Sequence, residues 1–148
     1  MVDVGDKPET DRVATAEGWL FVSDDALRAL ESGQVPKGDP LTIAQIAGIQ
    51  AAKRTAELIP LCHSLPLTQV DVTLKLDTER RAIRATATAR VVGRTGVEME
   101  ALTAVTVALL TAYDMLKAVD RTMRIEGVRL IRKSGGRSGD YEAAGETI

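Results

Sequence analysis

The sequence predicts an α+β fold, an antiparallel sheet with helices packed on one face. Three patterns carry the prediction. Val70, Val72, Leu74 and Leu76 alternate with polar residues. After a charged turn near Glu79-Arg80-Arg81, Ile83, Ala85, Ala87, Ala89 and Val91 alternate again, as in a hairpin with one buried face. Two long stretches of helical periodicity flank that hairpin, and a shorter strand-like run lies outside each of them.

In chain order, residues 1–10 are polar and aperiodic and are expected to be loosely held. A strand is predicted over 13–22, broken near Gly18 and carrying the only Trp and Phe, Trp19 and Phe21. Ser23-Asp24-Asp25 is a helix start and Gly33 a stop, giving a short helix through Leu27 and Leu30. Val35-Pro36-Lys37-Gly38-Asp39-Pro40 is a loop. A long helix is predicted over 41–58, with Ile43, Ile46, Ala47, Ile49 and Gln50 on its buried side. Lys53 and Arg54 lie in its final third, where the helix dipole favours cations. Residues 59–67 are apolar but kept from helix by Pro60 and Pro66. After the hairpin, Gly93-Arg94-Thr95-Gly96 leads into a second long helix ending near Val119. A last strand covers 124–131, with a bulge at Gly127. A glycine-rich basic segment, Lys133-Ser134-Gly135-Gly136-Arg137-Ser138-Gly139, and a loosely held polar end (140–148) complete the chain. With the short helix treated as an insertion, the order is βαββαβ, the ferredoxin-like plan, in a single domain over 1–148.

The second long helix is the element around which the rest is organised. Leu102, Val105, Leu109, Leu116 and Val119 recur at helical spacing, and Thr103, Val107 and Leu110 form a second stripe. A helix apolar on more than one side is buried on more than one side, which in a chain of 148 residues predicts an oligomer interface beside the internal core. A formal charge of −2 argues against a nucleic-acid partner held by bulk electrostatics. The single cysteine, Cys62, excludes an intrachain disulfide and fits a reducing compartment. No signal peptide is evident and no run reads as long enough to span a membrane, so the expected location is the cytoplasm.

Several segments could carry chemistry. Asp114 and Lys117, three apart at the end of the long helix, share one face. They form either a plain helical ion pair or, beside a substrate, a pair suited to proton transfer. The glycine-rich segment offers backbone N–H groups and the cations Lys133 and Arg137 to an anion such as phosphate; the same pattern fits a flexible basic tail. Cys62 and His63 are the only Cys and His, too few for a zinc site in one chain. Cys62 reads as a buried filler, and His63 as either a substrate contact or a structural histidine. Glu98 and Glu100 stand at a helix N-terminus, where the dipole alone favours carboxylates, with Met99 between them as core or ligand wall. Lys37, Lys53, Arg54, Lys117, Lys133 and Arg137 would together suit a triphosphate.

Taken in order, several blocks resemble the molybdenum cofactor biosynthesis protein C family, the cyclic pyranopterin monophosphate synthases. They are Met-Val-Asp-Val at the start, Lys37-Gly38-Asp39, the run from Ile46 to Thr55, and Ile59-Pro60-Leu61-Cys62-His63. Further on come the run from Thr95 to Leu102, Tyr113-Asp114-Met115 with Lys117-Ala118-Val119, and Lys133-Ser134-Gly135-Gly136. The resemblance covers nearly the whole chain. It implies a lyase that converts 3′,8-cyclo-7,8-dihydroguanosine triphosphate into cyclic pyranopterin monophosphate with release of pyrophosphate. It also implies a ferredoxin-like homo-hexamer, a trimer of dimers, with the pocket at a dimer interface. Asp114 and Lys117 then match the main catalytic candidates, joined by Lys37 and Lys133. Leu61, Cys62 and His63, with Glu98, Met99 and Glu100, line the substrate site, and Arg137 assists with phosphate. Ser64 stands where the family usually has Pro, Arg137 where Lys is common, and Leu116 where Cys is frequent.

The expected mechanism has Asp114 accepting a proton beside Lys117, Lys37 and Lys133 holding phosphates, and His63 and Glu100 fixing base and sugar. No cofactor is expected; a divalent ion such as magnesium accompanying the triphosphate stays open, although no acidic cluster looks built to hold one. The alternative function is a non-catalytic oligomeric module that binds a nucleotide or polyphosphate.

Overall fold

The structure is a computed structural model and describes residues 1–137 and 139–145. Ser138 and residues 146–148, which belong to the glycine-rich segment and the expected loose end, lie outside the described residues. The elements are β1 (Thr10–Phe21), α1 (Asp24–Ser32), α2 (Pro40–Lys53), α3 (Thr55–Leu58), β2 (Gln69–Asp77), β3 (Ala82–Gly93), α4 (Glu98–Leu116), β4 (Arg124–Ser134) and β5 (Tyr141–Glu142). The strands form one antiparallel sheet in the order β2-β3-β1-β4-β5. Its first four strands have the order that the βαββαβ plan requires, and β5 is an addition at the edge.

Local chemistry accounts for most boundaries. Ser23 caps α1 by accepting from the Ala26 N–H, and Gly33 closes it at φ 67°, the left-handed conformation a glycine adopts without strain. Asp39 caps α2 through the Leu41 and Thr42 N–H groups, with Pro40 at its first position. Two residues of β4, Gly127 (φ 63°) and Val128, face one residue of β1, so the bulge falls where the sequence places it.

Four expectations are corrected. β1 runs through Gly18 unbroken, because that glycine faces α4. A Cβ there would come within 2.9 Å of Leu109 Cδ1 and Val128 Cγ2, so the missing side chain is a packing requirement. The predicted 41–58 helix divides at Arg54 into α2 and α3. The long helix α4 stops at Leu116, with Lys117 as its cap. β4 continues to Ser134, so Lys133 belongs to a strand.

A further correction concerns α2. Its buried residues are Pro40, Ala44, Gly48, Ala51 and Ala52, whereas Ile43 and Ile46 are 46% and 48% exposed. The reason is the close approach of α4. A Cβ on Gly48 would lie 2.9 Å from the Ala104 carbonyl oxygen and 3.2 Å from Ala108 Cβ. Small residues therefore face inward and Ile43, Ile46 and Gln50 face out, while Ile49 packs partly buried against the core, as expected. Since a backbone carbonyl cannot step aside, Gly48→Ala is expected to destabilise the protein by about 1–2 kcal/mol. Denaturant unfolding checks this; an unchanged midpoint would show that the helices have slack.

The core lies between the helix layer and the sheet, built from Leu20, Ile83, Val91, Val97, Val105, Leu109, Leu116 and many alanines. By length and composition α4 is long and apolar enough to cross a membrane, contrary to the sequence reading. Ten of its residues are instead buried in this fold, and Leu110, on its outer side, is 57% exposed.

Candidate active site

Two groups of polar side chains form at opposite ends of α4. At its C-terminal end Asp114 holds two ammonium groups: Lys117 Nζ lies 2.6 Å from Oδ1 and Lys37 Nζ lies 2.5 Å from Oδ2. Lys37 also donates to the Asp114 carbonyl oxygen at 3.2 Å. Local structure delivers Lys37 there, inside the Val35–Gly38 turn that leads directly into the Asp39 cap of α2. Buried Asp120 ties this end of α4 to the start of α1. Its carboxylate accepts from the Ser23 N–H at 2.7 Å and from the Thr122 N–H at 2.8 Å. Hydrogen bonds from Lys117 and then Lys37 pull the Asp114 carboxyl down to about 2. The trio is about half exposed, a cation-rich surface anchored on one carboxylate.

At the N-terminal end lies an open cleft of about 400 Å³, lined by Ile59, Leu61, Cys62, His63, Leu65, Thr95, Gly96, Glu98 and Met99. Lys133 Nζ reaches Glu98 Oε1 at 3.1 Å, so the end of β4 and the first turn of α4 meet beside the cleft. Glu100 is 2% exposed and lies behind this wall. Burial pushes its carboxyl up, and the charge of Glu98 adds to that against its own backbone N–H. Among the described residues Glu100 Oε2 has no hydrogen-bond partner. Cys62, expected as a buried filler, is only partly buried, because its segment forms the rim of the cleft and not the core. Desolvation, and after it the charge of Glu100, pushes the Cys62 thiol up, which makes it a poor nucleophile at neutral pH.

A second cleft, of about 310 Å³, adjoins the first across the Gly93–Gly96 segment and is lined by Lys7, Pro8, Thr10, Arg12, Gly136 and Arg137. Arg12 donates to the Gly93 and Arg94 carbonyl oxygens at 2.9 and 3.2 Å, which fixes its guanidinium at the cleft. Gly136 (φ 81°) presses on that guanidinium so closely that any Cβ would overlap it. The Thr10 hydroxyl is buried without a partner among the described residues. Three cations converge here, as an anion site requires. Sequence reasoning does not find Lys7 and Arg12. Each stands in a stretch with no motif, and only the pairing of β1 with β3 brings Arg12 to Gly93.

A model of the MoaC family matches residues 1–136. The chain belongs to the MoaC family. Among its relatives, the cyclic pyranopterin monophosphate synthase of Roseiflexus castenholzii is 58% identical over 140 residues, covering 95% of this chain and 89% of that protein. Proteins of the same name from Thermomicrobium roseum and Methylobacterium nodulans are 56% and 59% identical, over 95% and 97% of this chain and 85% and 89% of their own lengths. In this MoaC chain the residues named from sequence are thus sorted into two places. Asp114, Lys117 and Lys37 form one group. Leu61, Cys62, His63, Glu98, Met99 and Lys133 form the other, with Glu100 behind its wall and Arg137 in the adjoining basic cleft. The length of α4 between Glu98 and Asp114, at 1.5 Å per residue, puts the groups about 24 Å apart.

Proposed function

We propose that this chain is a lyase of molybdenum cofactor biosynthesis, acting in the cytoplasm. It converts 3′,8-cyclo-7,8-dihydroguanosine triphosphate into cyclic pyranopterin monophosphate and pyrophosphate. The observation that carries the activity is relatives of that name at 56–59% identity over at least 95% of the chain. The geometry supports the roles. The purine-derived ring opens and recloses by proton transfers, and a sugar hydroxyl then attacks the α-phosphorus. Its proton passes to a base as the bond to the bridging oxygen breaks and pyrophosphate departs. Lys37 and Lys117, held side by side by Asp114, suit the proton transfers and the charge developing on phosphate. Lys133, Arg137 and Arg12 suit the triphosphate. His63 and Met99 suit contact with base and sugar. The reaction needs no cofactor in this reading; a divalent ion would enter only with the triphosphate.

Catalytic groups act on atoms about 3–3.5 Å away, so two groups about 24 Å apart on α4 cannot close on one reacting centre within a chain. The site is completed between two copies, the Asp114 end of one α4 meeting the Glu98 end of another, in a hexamer of three dimers. Leu110, Ile46, Ile43 and Met99, 57%, 48%, 46% and 38% exposed, support an apolar contact surface on the helix layer. Sedimentation of the purified protein tests the hexamer; a monomer at working concentration would leave the site incomplete.

Supplying the cyclised nucleotide and following pyrophosphate and a fluorescent oxidised pterin tests the reaction. Binding without pyrophosphate release would favour the non-catalytic module. Lys133→Ala is expected to weaken triphosphate binding about tenfold, the cost of one charge-assisted contact. Titration calorimetry with unchanged affinity would remove Lys133 from the phosphate site.

A further inference from the structure

The C-terminal strand β5 lies beyond the residues matched by the family model, which end at 136, yet it is paired directly with Lys133. The register sets Lys133 against Tyr141 and Arg132 against Glu142, and the Ala143 N–H donates to the Ile131 carbonyl oxygen at 2.8 Å. In an antiparallel ladder alternate residues point their N–H and C=O the same way. Ile131 points to β5, so Lys133 does too, while Arg132 and Ser134 point to β1. The backbone of Lys133 is therefore held on its hydrogen-bonding side by β5.

The segment after Ser134 is otherwise costly to order. Gly135 and Gly136 stand at φ 90° and 81°, and glycine loses more freedom on ordering than any other residue. These two carry the chain across β1 to Arg12 and bring Arg137 to the basic cleft. Pairing of β5 closes the excursion into a hairpin, and the Gly139 N–H contact with the Gly136 carbonyl oxygen (3.4 Å) tightens it. Arg129 fastens the far end by donating to the Gly145 carbonyl oxygen at 2.8 Å.

We propose that β5 is a positioning element for the reaction: by pairing with β4 it pre-orders Lys133 and the Gly135–Arg137 turn, so that their cations meet the triphosphate already in place. The proposal rests on the reading of Lys133 and Arg137 as phosphate-holding groups. Pre-ordering raises affinity by removing the cost of immobilising long side chains on binding.

The test is Ala143→Pro in the full chain, which deletes the donor to Ile131, beside Ala143→Ser, which keeps it. With inorganic tripolyphosphate as probe, the proline variant is expected to bind about tenfold more weakly. Its KM for the cyclised nucleotide should rise with kcat little changed, while the serine variant matches wild type. Wild-type affinity in the proline variant, with Lys133→Ala weakened, would overturn the role of β5 and leave the phosphate reading standing. Unchanged affinity in both Lys133→Ala and Arg137→Ala would overturn the phosphate reading itself and the proposal with it. Should the proline variant not fold, hydrogen exchange on the wild type decides: a Lys133 amide exchanging as fast as an exposed loop would overturn the clasp.

Discussion

Asp114→Asn is expected to lower turnover by about a hundredfold or more, while the fold and triphosphate binding stay close to wild type. The carboxylate stands between Lys117 Nζ at 2.6 Å and Lys37 Nζ at 2.5 Å, and those hydrogen bonds pull its pKa down to about 2. A group so acidic is a weak proton acceptor near neutral pH. We therefore propose that Asp114 acts by holding two ammonium groups in position, with the lysines meeting the substrate. Asparagine keeps the size but loses the charge that gathers the lysines. Because the folded pKa is depressed, Asp114 is ionised at every pH above its unfolded value, and its contribution is lost only as pH falls toward about 2. The wild-type pH profile between about 5 and 9 should consequently show no limb from this residue. Pyrophosphate release, titration calorimetry and thermal melting check the three parts. Near-wild-type turnover by the asparagine variant would remove the trio from the mechanism.

Glu17→Ala is expected to cost about 3 kcal/mol of stability. Glu17 lies on the sheet face opposite the helices and is 3% exposed. Its Oε2 accepts from Arg84 at 2.6 Å, and its Oε1 from Arg129 Nε at 2.9 Å. Burial alone would raise the carboxyl, but the hydrogen bonds from the two arginines outweigh it and leave the pKa below the ordinary 4.5. Removing the carboxylate leaves two guanidinium groups facing each other across β1. Both remain about a third exposed, so water recovers part of the loss, and the expected cost sits at the low end for a broken buried pair. The sign in pH is set by the direction of that shift. A depressed folded pKa contributes stability above the unfolded value and loses it as pH falls through the folded one. The gap between wild type and Glu17→Ala should thus shrink in acid. Denaturant unfolding at about pH 7 and about pH 4, at one protein concentration, measures it; an equal gap at both would mean the charge is not the cause.

Some features were legible because their causes are short-range. Strand alternation in β2 and β3, the Ser23 cap and Gly33 stop of α1, the Gly127 bulge and the Asp114–Lys117 spacing each depend on residues a few positions apart. Lys37 and Asp114, 77 positions apart, are joined in the sequence only by resemblance to a family. Arg12, Lys7 and β5 escape the sequence because nothing near them marks them. Tyr141 and Glu142 make a strand only because β4 offers them an edge.

The sequence by itself therefore determined the four main strands, the short helix and the two long helical stretches, their order, and the residue types that carry the chemistry, since periodicity and capping are written within a turn or a strand. Only the tertiary structure decided which side of α2 faces inward, because that depends on how near α4 can come at Gly48. It alone decided that Glu17 is clamped between two strands, and that the candidate site divides between the two ends of α4. Each of those outcomes is a distance between residues far apart in the chain, and such distances are set by how surfaces pack.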